Sequence, residues 1–303
     1  MTLQELRYAV AVARERHFGR AAAACFVSQP SLSTAIRHLE DELGVLLFER
    51  TRGDVVPTDI GRQVIAQAER VLEEATRVKH VAASGKDQLR GALKLGVIHT
   101  IAPYLLPDLV ASLRERARDM PLDIEENMTD NLDRMLREAR IDVAILALPF
   151  EAPGIVVQPV YDEEFSLAVP ARHPWAKRKS VEASELTDEN LLLLSVGHCL
   201  RDQVLEACSR FTRAGDGGKQ GNSLETLRSM VASGMGITVL PATAFTPRHA
   251  STLVKRVPFA SPAPLRRVVV ATRQDFYRPR AIALLIEALR GLDLPIKPLR
   301  GAG

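Results

Sequence analysis

The sequence predicts a winged helix-turn-helix unit of the all-α class, a long linker helix, and an α/β C-terminal domain. Three observations predict this order: short apolar helices in residues 1–60, one unbroken helical repeat over 58–87, and alternating strands and helices from 91 to 303. A chain of 303 residues is long enough for two or three such units. The net charge of +3 points to no particular partner.

Residues 1–60 contain three helical segments with very short connections, which is the helix-turn-helix pattern. In the third helix Ser28 is placed as an N-cap, Pro30 lies in the first turn, and Gly44 can end the helix in a left-handed conformation. The apolar stripe of this helix consists of Leu32, Ala35, Ile36, Leu39 and Leu43.

The opposite face of the third helix is small, polar and cationic, and it contains Pro30, Ser33, Thr34 and Arg37. Such side chains can reach base edges and phosphates in a major groove. The alternative is a packing module with a solvated face. Residues 1–60 carry seven arginines against eight acidic residues, so DNA affinity would depend on local placement and on several sites per oligomer. Arg50 and Arg52, in LFERTRGDVVPT, are expected in a β-wing that contacts the DNA backbone or minor groove.

The linker helix carries apolar or small residues at a three-and-four spacing, at Ile65, Ala68, Leu72, Ala75 and Ala82. A helix of this length needs a partner, and a heptad seam supplies one. Pairing of two chains along it would hold two reading helices apart and require a DNA site with two-fold symmetry. The alternative is a helix that packs on its own domain.

The C-terminal domain is predicted to have strands at 92–97, 122–126, 142–148, 165–170, 191–195, 236–241 and 266–272. Amphipathic helices are predicted near 101–117, 130–140, 200–213, 223–234 and 279–291. Ligands of parallel sheets bind outside the carboxyl ends of the strands. Thr100, Thr129 and the segment after Ser195 are therefore expected at a site, although both threonines could simply cap helices.

Two of the three cysteines lie in GHCLRDQVLEAC, residues 197–208. Cys199 follows a predicted strand, begins a predicted helix, and has His198 and Arg201 beside it. A helix N-terminus and neighbouring cations favour the thiolate, so Cys199 is a candidate nucleophile. Cys25 is expected to be core packing.

Cys208 lies on the apolar face of the same predicted helix, where it could be a buried small residue. Nine residues of intact helix separate the two Cα atoms by about 13 Å, whereas a disulfide needs them within about 7 Å. A bond between Cys199 and Cys208 would therefore require the helix to unwind. This spacing suits a redox switch and is unsuited to a structural disulfide. Two cysteines and a histidine can also bind zinc. His198, Cys199 and Cys208, which lies more than two helical turns away, do not readily converge on a metal. We expect neither a metal nor a cofactor.

The segment FGRAAAACFVSQPSLSTAIRHLEDELGVLLFER closely resembles the DNA-binding segment of LysR-type transcriptional regulators. The resemblance implies DNA contacts from Gln29, Pro30, Ser31, Ser33 and Arg37 and from the wing residues Arg50 and Arg52. It also implies two subdomains like those of periplasmic binding proteins. Subdomain I would span 91–162 and 266–303, and subdomain II would span 163–265.

GHCLRDQVLEAC and GVIHTIAPYLLP resemble the peroxide-sensing members of that family, and the likeness extends along nearly the whole chain. It implies that Cys199 is the peroxide-reactive cysteine and Cys208 the resolving one. Thr100, Thr129 and His198 match positions that bind or orient peroxide, and Arg266 matches a basic residue near the reactive thiol. Arg201 is a further candidate for activating the thiol.

The expected protein is cytoplasmic, since the N-terminus has no export signal. It is expected to be a regulator and not an enzyme, because its reaction with peroxide would be stoichiometric signalling. Its expected partners are double-stranded DNA, hydrogen peroxide, a second copy of the chain in a dimer or tetramer, RNA polymerase and cytosolic dithiol reductants. No membrane is expected among them. One alternative is a regulator that responds to a small metabolite in the cleft. The other is a thiol peroxidase, which would not need residues 1–60. A solute-binding protein is disfavoured by the reader helix and by the lack of an export signal.

Overall fold

The computed structural model describes residues 1–51, 54–84, 87–188, 190–207 and 220–299. The chain forms two compact units, Met1–Lys86 and Asp87–Gly303. Within the described ranges, none of the helices has the length and apolar character that a bilayer crossing requires.

The N-terminal unit has the predicted winged helix-turn-helix order of elements. The strands β1 and β2 pair antiparallel. The elements are α1 (Leu3–Glu15), α2 (Phe18–Ala24), α3 (Gln29–Leu43), β1 (Phe48–Thr51), β2 (Asp54–Pro57) and α4 (Asp59–Ser84).

The third helix begins and ends as its sequence predicts. The Ser28 hydroxyl accepts a hydrogen bond from the Ser31 N–H at 3.3 Å, and Pro30 lies in the first turn. Gly44 ends the helix with φ 69°, a left-handed conformation that glycine adopts without strain. Most of the apolar stripe is buried, but the prediction was wrong for Leu43, which is 37% exposed because it lies in the last turn.

The linker helix α4 matches its predicted length, but its first half packs on its own unit. Ile65 and Ala68, two positions of the predicted seam, are buried in the hydrophobic core that α1 also lines. Pairing of two chains along the remaining part of α4 stays a prediction.

The start of α4 depends on Gly61. The Gly61 N–H donates to the Thr58 hydroxyl at 2.8 Å, and that hydroxyl donates to the Leu46 carbonyl at 2.8 Å. A Cβ at Gly61 would overlap the Leu47 carbonyl oxygen, which is main chain and cannot rotate away.

We expect Gly61→Ala to lower the free energy of unfolding of the N-terminal unit by about 1–3 kcal/mol, because overpacking forces the backbone to shift. Urea unfolding followed by circular dichroism measures the effect. Gly44→Ala is the matched control, since the space at Gly44 is open and only its positive φ opposes alanine, at about 1 kcal/mol. An equal loss in both variants would contradict the role given to the Leu47 contact.

The C-terminal unit is an α/β fold with one mixed sheet, as predicted. Its helices are α5 (Ala102–Arg116), α6 (Thr129–Arg137), α7 (Cys199–Ala207), α8 (Leu224–Ala232) and α9 (Pro279–Arg290). Its strands are β3 (Leu93–Ile98), β4 (Leu122–Asn127), β5 (Val143–Ala147), β6 (Ile155–Pro170), β7 (Leu191–Leu194), β8 (Gln220–Gly221), β9 (Ile237–Pro241), β10 (Val254–Pro258), β11 (Leu265–Arg273) and β12 (Lys297–Pro298).

The strand order is β4-β3-β5-β11-β6-β9-β7-β8, and β10 and β12 also pair with β6. The pairs β3–β4, β3–β5, β7–β8 and β7–β9 are parallel, whereas the other strand pairs are antiparallel. All seven predicted strands are present. The prediction was wrong for β6, which begins ten residues before position 165, and it missed β10 and the two-residue strands β8 and β12.

Two hydrophobic clusters share the long strand β6. The first cluster contains β3, β5, part of β6, β11 and helices α5, α6 and α9, and the second contains the end of β6, β7, β9, β10 and α8. Helix α7 touches both, because Cys199 packs against the first cluster while Leu200 and Val204 belong to the second. The exact subdomain bounds remain a prediction.

Candidate functional site

Cys199 is the first residue of α7, and its thiol is free and half-buried. It lies in a small pocket whose walls come from three chain segments: 98–100 at the end of β3, 127–129 at the junction of β4 and α6, and 197–199 at the start of α7. Thr100 and Thr129 therefore stand at the carboxyl ends of two parallel strands, as predicted, and face the same pocket as His198 and Cys199.

Burial raises the pKa of the Cys199 thiol above its ordinary value. The positive charge of Arg266, a hydrogen bond from the Thr129 side chain and one from the Leu200 backbone N–H oppose this rise, and Asp202 adds to it. The net direction is the reverse of the thiolate-favouring environment expected from the sequence. Arg266, which the resemblance to the peroxide-sensing regulators had suggested, is the cation that acts on the thiol. Arg201, the other candidate, instead donates from its Nη1 to the Leu194 carbonyl at 2.9 Å.

Arg266 is fully buried and makes an ion pair that the sequence analysis missed. Its Nε donates to Glu163 Oε2 at 2.8 Å, and its Nη2 lies 2.7 Å from the same oxygen. Nη1 donates to the Thr100 hydroxyl at 3.0 Å, and Nη2 to the Thr100 carbonyl at 3.1 Å. Burial alone would lower the pKa of Arg266, but Glu163 more than offsets this, so the guanidinium stays charged.

The other carboxylate oxygen of Glu163 is hydrogen-bonded by Thr243. Its Oε1 accepts hydrogen bonds from the Thr243 backbone N–H at 3.0 Å and from the Thr243 hydroxyl at 2.5 Å. The register of β11 on β6 places Arg266 directly opposite Glu163, so this partner follows from the pairing of two distant strands and not from local sequence.

His198 is buried, with 6% of its surface exposed. Burial lowers the pKa of its imidazole, and the neighbouring His99 lowers it further. The His99 ring centre lies 5.9 Å from that of His198, and His99 Nδ1 lies 3.0 Å from Glu126 Oε1. The sequence analysis did not single out His99 or Glu126.

A larger cavity of about 460 Å³ adjoins the thiol pocket, and His99 and His198 line both. Tyr104 on α5 and Glu225 at the start of α8 both line it, and the Tyr104 hydroxyl donates to Glu225 at 2.8 Å. This cavity is the place where a small metabolite would bind in the alternative interpretation.

The predicted DNA-contacting residues of α3 lie on one open face of the helix. Gln29, Pro30, Ser31, Thr34 and Arg37 are exposed and Ser33 is half-buried. Arg50 belongs to β1, while Arg52 and Cys208 lie outside the described residues. Cys25 is half-buried against the core of its unit, and burial raises the pKa of its thiol.

Two family descriptions match the chain. "Bacterial regulatory helix-turn-helix protein, lysR family" matches residues 3–62, and "LysR substrate binding domain" matches residues 86–293.

Relatives and solved structures with similar sequences cover nearly the whole chain. The DNA-binding transcriptional dual regulator OxyR of Escherichia coli K12 is 40% identical over 290 residues, which is 96% of this chain and 95% of the relative. Full-length OxyR of Pseudomonas aeruginosa, in a cysteine-to-aspartate variant, superimposes with a TM-score of 0.77 at 45% identity and covers 100% of this chain and 99% of that one. A cysteine-to-serine variant of Corynebacterium glutamicum OxyR with hydrogen peroxide bound has a TM-score of 0.66 at 35% identity, covering 95% and 91%. The chain is therefore a member of the LysR family of transcriptional regulators and belongs with its OxyR proteins.

Proposed function

We propose that this protein is a DNA-binding transcriptional regulator that senses hydrogen peroxide through oxidation of Cys199. The observation that carries the proposal is the small pocket in which Cys199 meets Thr100, Thr129 and His198, with the buried charge of Arg266 acting on the thiol. Hydroxyls and an imidazole can hold a peroxide molecule, which both donates and accepts hydrogen bonds. The similar Corynebacterium glutamicum OxyR variant was solved with hydrogen peroxide bound.

The reaction begins with attack of the Cys199 thiolate on one peroxide oxygen. The S–O bond forms as the O–O bond breaks, sulfur is oxidised to a sulfenic acid, and the second oxygen leaves as hydroxide that takes a proton to become water. Thr100 and Thr129 orient the peroxide, and His198 is placed to donate a hydrogen bond to the departing oxygen, which takes its proton from water. Burial raises the pKa of Cys199, and Arg266 and Thr129 oppose that rise and so increase the fraction of thiolate.

The sulfenic acid then reacts with the Cys208 thiol, with loss of water, to give a disulfide. In the sequence Cys208 comes directly after Ala207, the last residue of α7. A disulfide needs two Cα atoms within about 7 Å, whereas nine residues of intact helix would hold them about 13 Å apart. Closure requires α7 to unwind and to break two anchoring hydrogen bonds, from Arg201 to the Leu194 carbonyl and from Gln203 to the Leu148 carbonyl at 2.7 Å. Because α7 packs on both hydrophobic clusters, its unwinding removes a connection between them.

In this proposal the helix-turn-helix unit binds the promoter DNA. The proposed reading face consists of Gln29, Pro30, Ser31, Ser33, Thr34 and Arg37. Arg50 and Arg52 would contact the DNA backbone. Dimers or tetramers joined along α4 would bind two-fold promoter sites in the cytoplasm and contact RNA polymerase there. Dithiol reductants would reset the disulfide, so peroxide is consumed once per signal and not turned over.

We expect brief treatment of the full-length protein with peroxide to shift its promoter footprint and to oxidise the 197–208 peptide. Cys199→Ser should abolish both effects, because the nucleophile is absent, and Cys208→Ser should stop the reaction at the sulfenic acid. Footprinting combined with peptide mass spectrometry measures both. Cys25→Ser is the matched control and should behave as wild type. A footprint that changes while Cys199 stays reduced would refute the proposal.

The cavity of about 460 Å³ favours one second candidate, a regulator that responds to a small metabolite. In that case Cys208→Ala would respond as wild type. Steady-state peroxide turnover by the protein without residues 1–60 would instead indicate a thiol peroxidase.

A further inference from the structure

The pocket that contains the Cys199 thiol is very small and adjoins a much larger space. Its volume of about 10 Å³ is enough for about one water-sized molecule, whereas the neighbouring cavity measures about 460 Å³. Three of its lining residues are buried and form its deep wall, namely Ile98, Thr100 and His198. Apart from Thr129 and Cys199, the lining residues that reach the surface are His99, Asn127, Met128 and Gly197.

These outer residues differ in how firmly they are held. Asn127 Oδ1 accepts hydrogen bonds from the Met128 backbone N–H at 2.9 Å and from Asn131 Nδ2 at 2.8 Å. His99 Nδ1 lies 3.0 Å from Glu126 Oε1. The thioether of Met128 is at most a weak acceptor, and its unbranched side chain has three rotatable bonds. Met128 is therefore the side chain of the outer wall that can move at the lowest cost.

Met128 also lies between the two spaces, because it lines the large cavity as well as the thiol pocket. It is the residue before α6, and Thr129, the next residue, hydrogen-bonds the Cys199 thiol. Its side chain packs over the main chain of Gly197, since a Cβ built on Gly197 would lie 3.2 Å from Met128 Sδ. Gly197 has φ 100°, a conformation that side chains rarely adopt, so the space above it is left to the thioether.

We propose that Met128 is a size-selective gate between the large cavity and the thiol pocket: it turns aside for hydrogen peroxide and keeps bulkier hydroperoxides away from Cys199. The inference rests on the proposed peroxide reaction, to which it adds a specificity-determining residue. Rotation of one flexible side chain makes room for a molecule little larger than water, but not for one that carries a tert-butyl group. A close-fitting apolar wall discriminates by about tenfold or more for one extra methylene.

The test is a ratio of two rate constants for the oxidation of Cys199 in the reduced full-length protein, that for tert-butyl hydroperoxide divided by that for hydrogen peroxide. Both oxidants give the same sulfenic acid, and the second oxygen leaves as tert-butanol or as water. Because both react with the same thiolate, the ratio does not depend on the pKa of the thiol. Stopped-flow kinetics gives the two rates, and peptide mass spectrometry separates Cys199 from Cys25.

We expect Met128→Ala to raise this ratio about tenfold or more, because the variant removes most of the gate. Met128→Leu keeps nearly the same apolar volume and should stay close to the wild-type ratio. Met230→Ala is the matched control, because Met230 is a half-buried methionine on α8 that is not among the described residues lining either space. Its ratio should equal that of wild type.

Alkylation measures the same gate without peroxide. The rate for N-ethylmaleimide divided by that for the smaller iodoacetamide should also rise in Met128→Ala and stay unchanged in Met230→Ala. If neither ratio changes in Met128→Ala, the gate is overturned while the proposed function stands. If hydrogen peroxide does not oxidise Cys199 in wild type but the alkylation ratio rises in Met128→Ala, the proposed function is overturned and Met128 still controls access to the thiol.

Discussion

Arg266→Met is expected to lower the stability of the C-terminal unit by about 3–5 kcal/mol and to slow the reaction of Cys199 with peroxide at least tenfold. The stability falls because Glu163, fully buried, loses the partner of its charge. The reaction slows because the thiol loses the cation that opposes the effect of its burial, and a nearby opposite charge is worth one to three pKa units. Urea unfolding and stopped-flow oxidation measure the two losses.

The double variant Arg266→Met/Glu163→Gln separates stability from reactivity. No buried charge is left unpaired, and the glutamine can still accept the hydrogen bonds from Thr243, so much of the lost stability should return. The peroxide rate should stay low, since no cation has been restored. Arg267→Gln is the matched control, because Arg267 is the next residue on β11 but pairs with Asp162 on the exposed side, where an ion pair contributes less than about 1 kcal/mol. Recovery of the rate together with the stability would show that Arg266 is only structural.

Periodicity was sufficient to predict most of the fold. The apolar repeats placed α3, α4 and all seven proposed strands, because the alternation that marks a buried face survives in the sequence. The first half of β6 was missed because Ile155–Pro170 carries Pro159 and three acidic residues in its first ten positions. Pro159 is tolerated where the β11 register shifts between Val268 and Val269.

In the site, too, some features follow from local sequence and others only from tertiary contacts. Position on the chain was enough to predict that Thr100, Thr129 and Cys199 meet at the strand ends, and the cysteine spacing indicated their chemistry. The pairing of Arg266 with Glu163 and the contact of His99 with His198 join residues that are about one hundred positions apart, so local sequence carries no signal for them. The burial that raises the pKa of Cys199 is likewise a tertiary property, and neighbouring residues along the chain suggested the opposite direction.

The raised pKa of Cys199 predicts that the reactivity of its thiol depends strongly on pH. Only the thiolate reacts, and its fraction rises tenfold per pH unit as long as the pH is below the pKa. Because burial raises the pKa of Cys199 above the ordinary value of about 8.5, alkylation of the reduced protein should climb about tenfold per unit from pH 6 to pH 8, or about 100-fold in all. A free cysteine peptide serves as the reference, since its rate should level off near pH 9 while that of Cys199 still rises.

Thr129 provides the matched pair of variants for this experiment. Its side-chain hydrogen bond favours the thiolate, so Thr129→Val should raise the pKa of Cys199 further and reduce the rate by the same factor at every pH below the pKa. Thr129→Ser keeps the hydroxyl and should follow wild type. A wild-type rate that is flat between pH 6 and pH 8 would mean that the thiol is already ionised at neutral pH. In that case Arg266 and the start of α7 would outweigh burial, and the acidic thiol expected from the sequence would be the correct description.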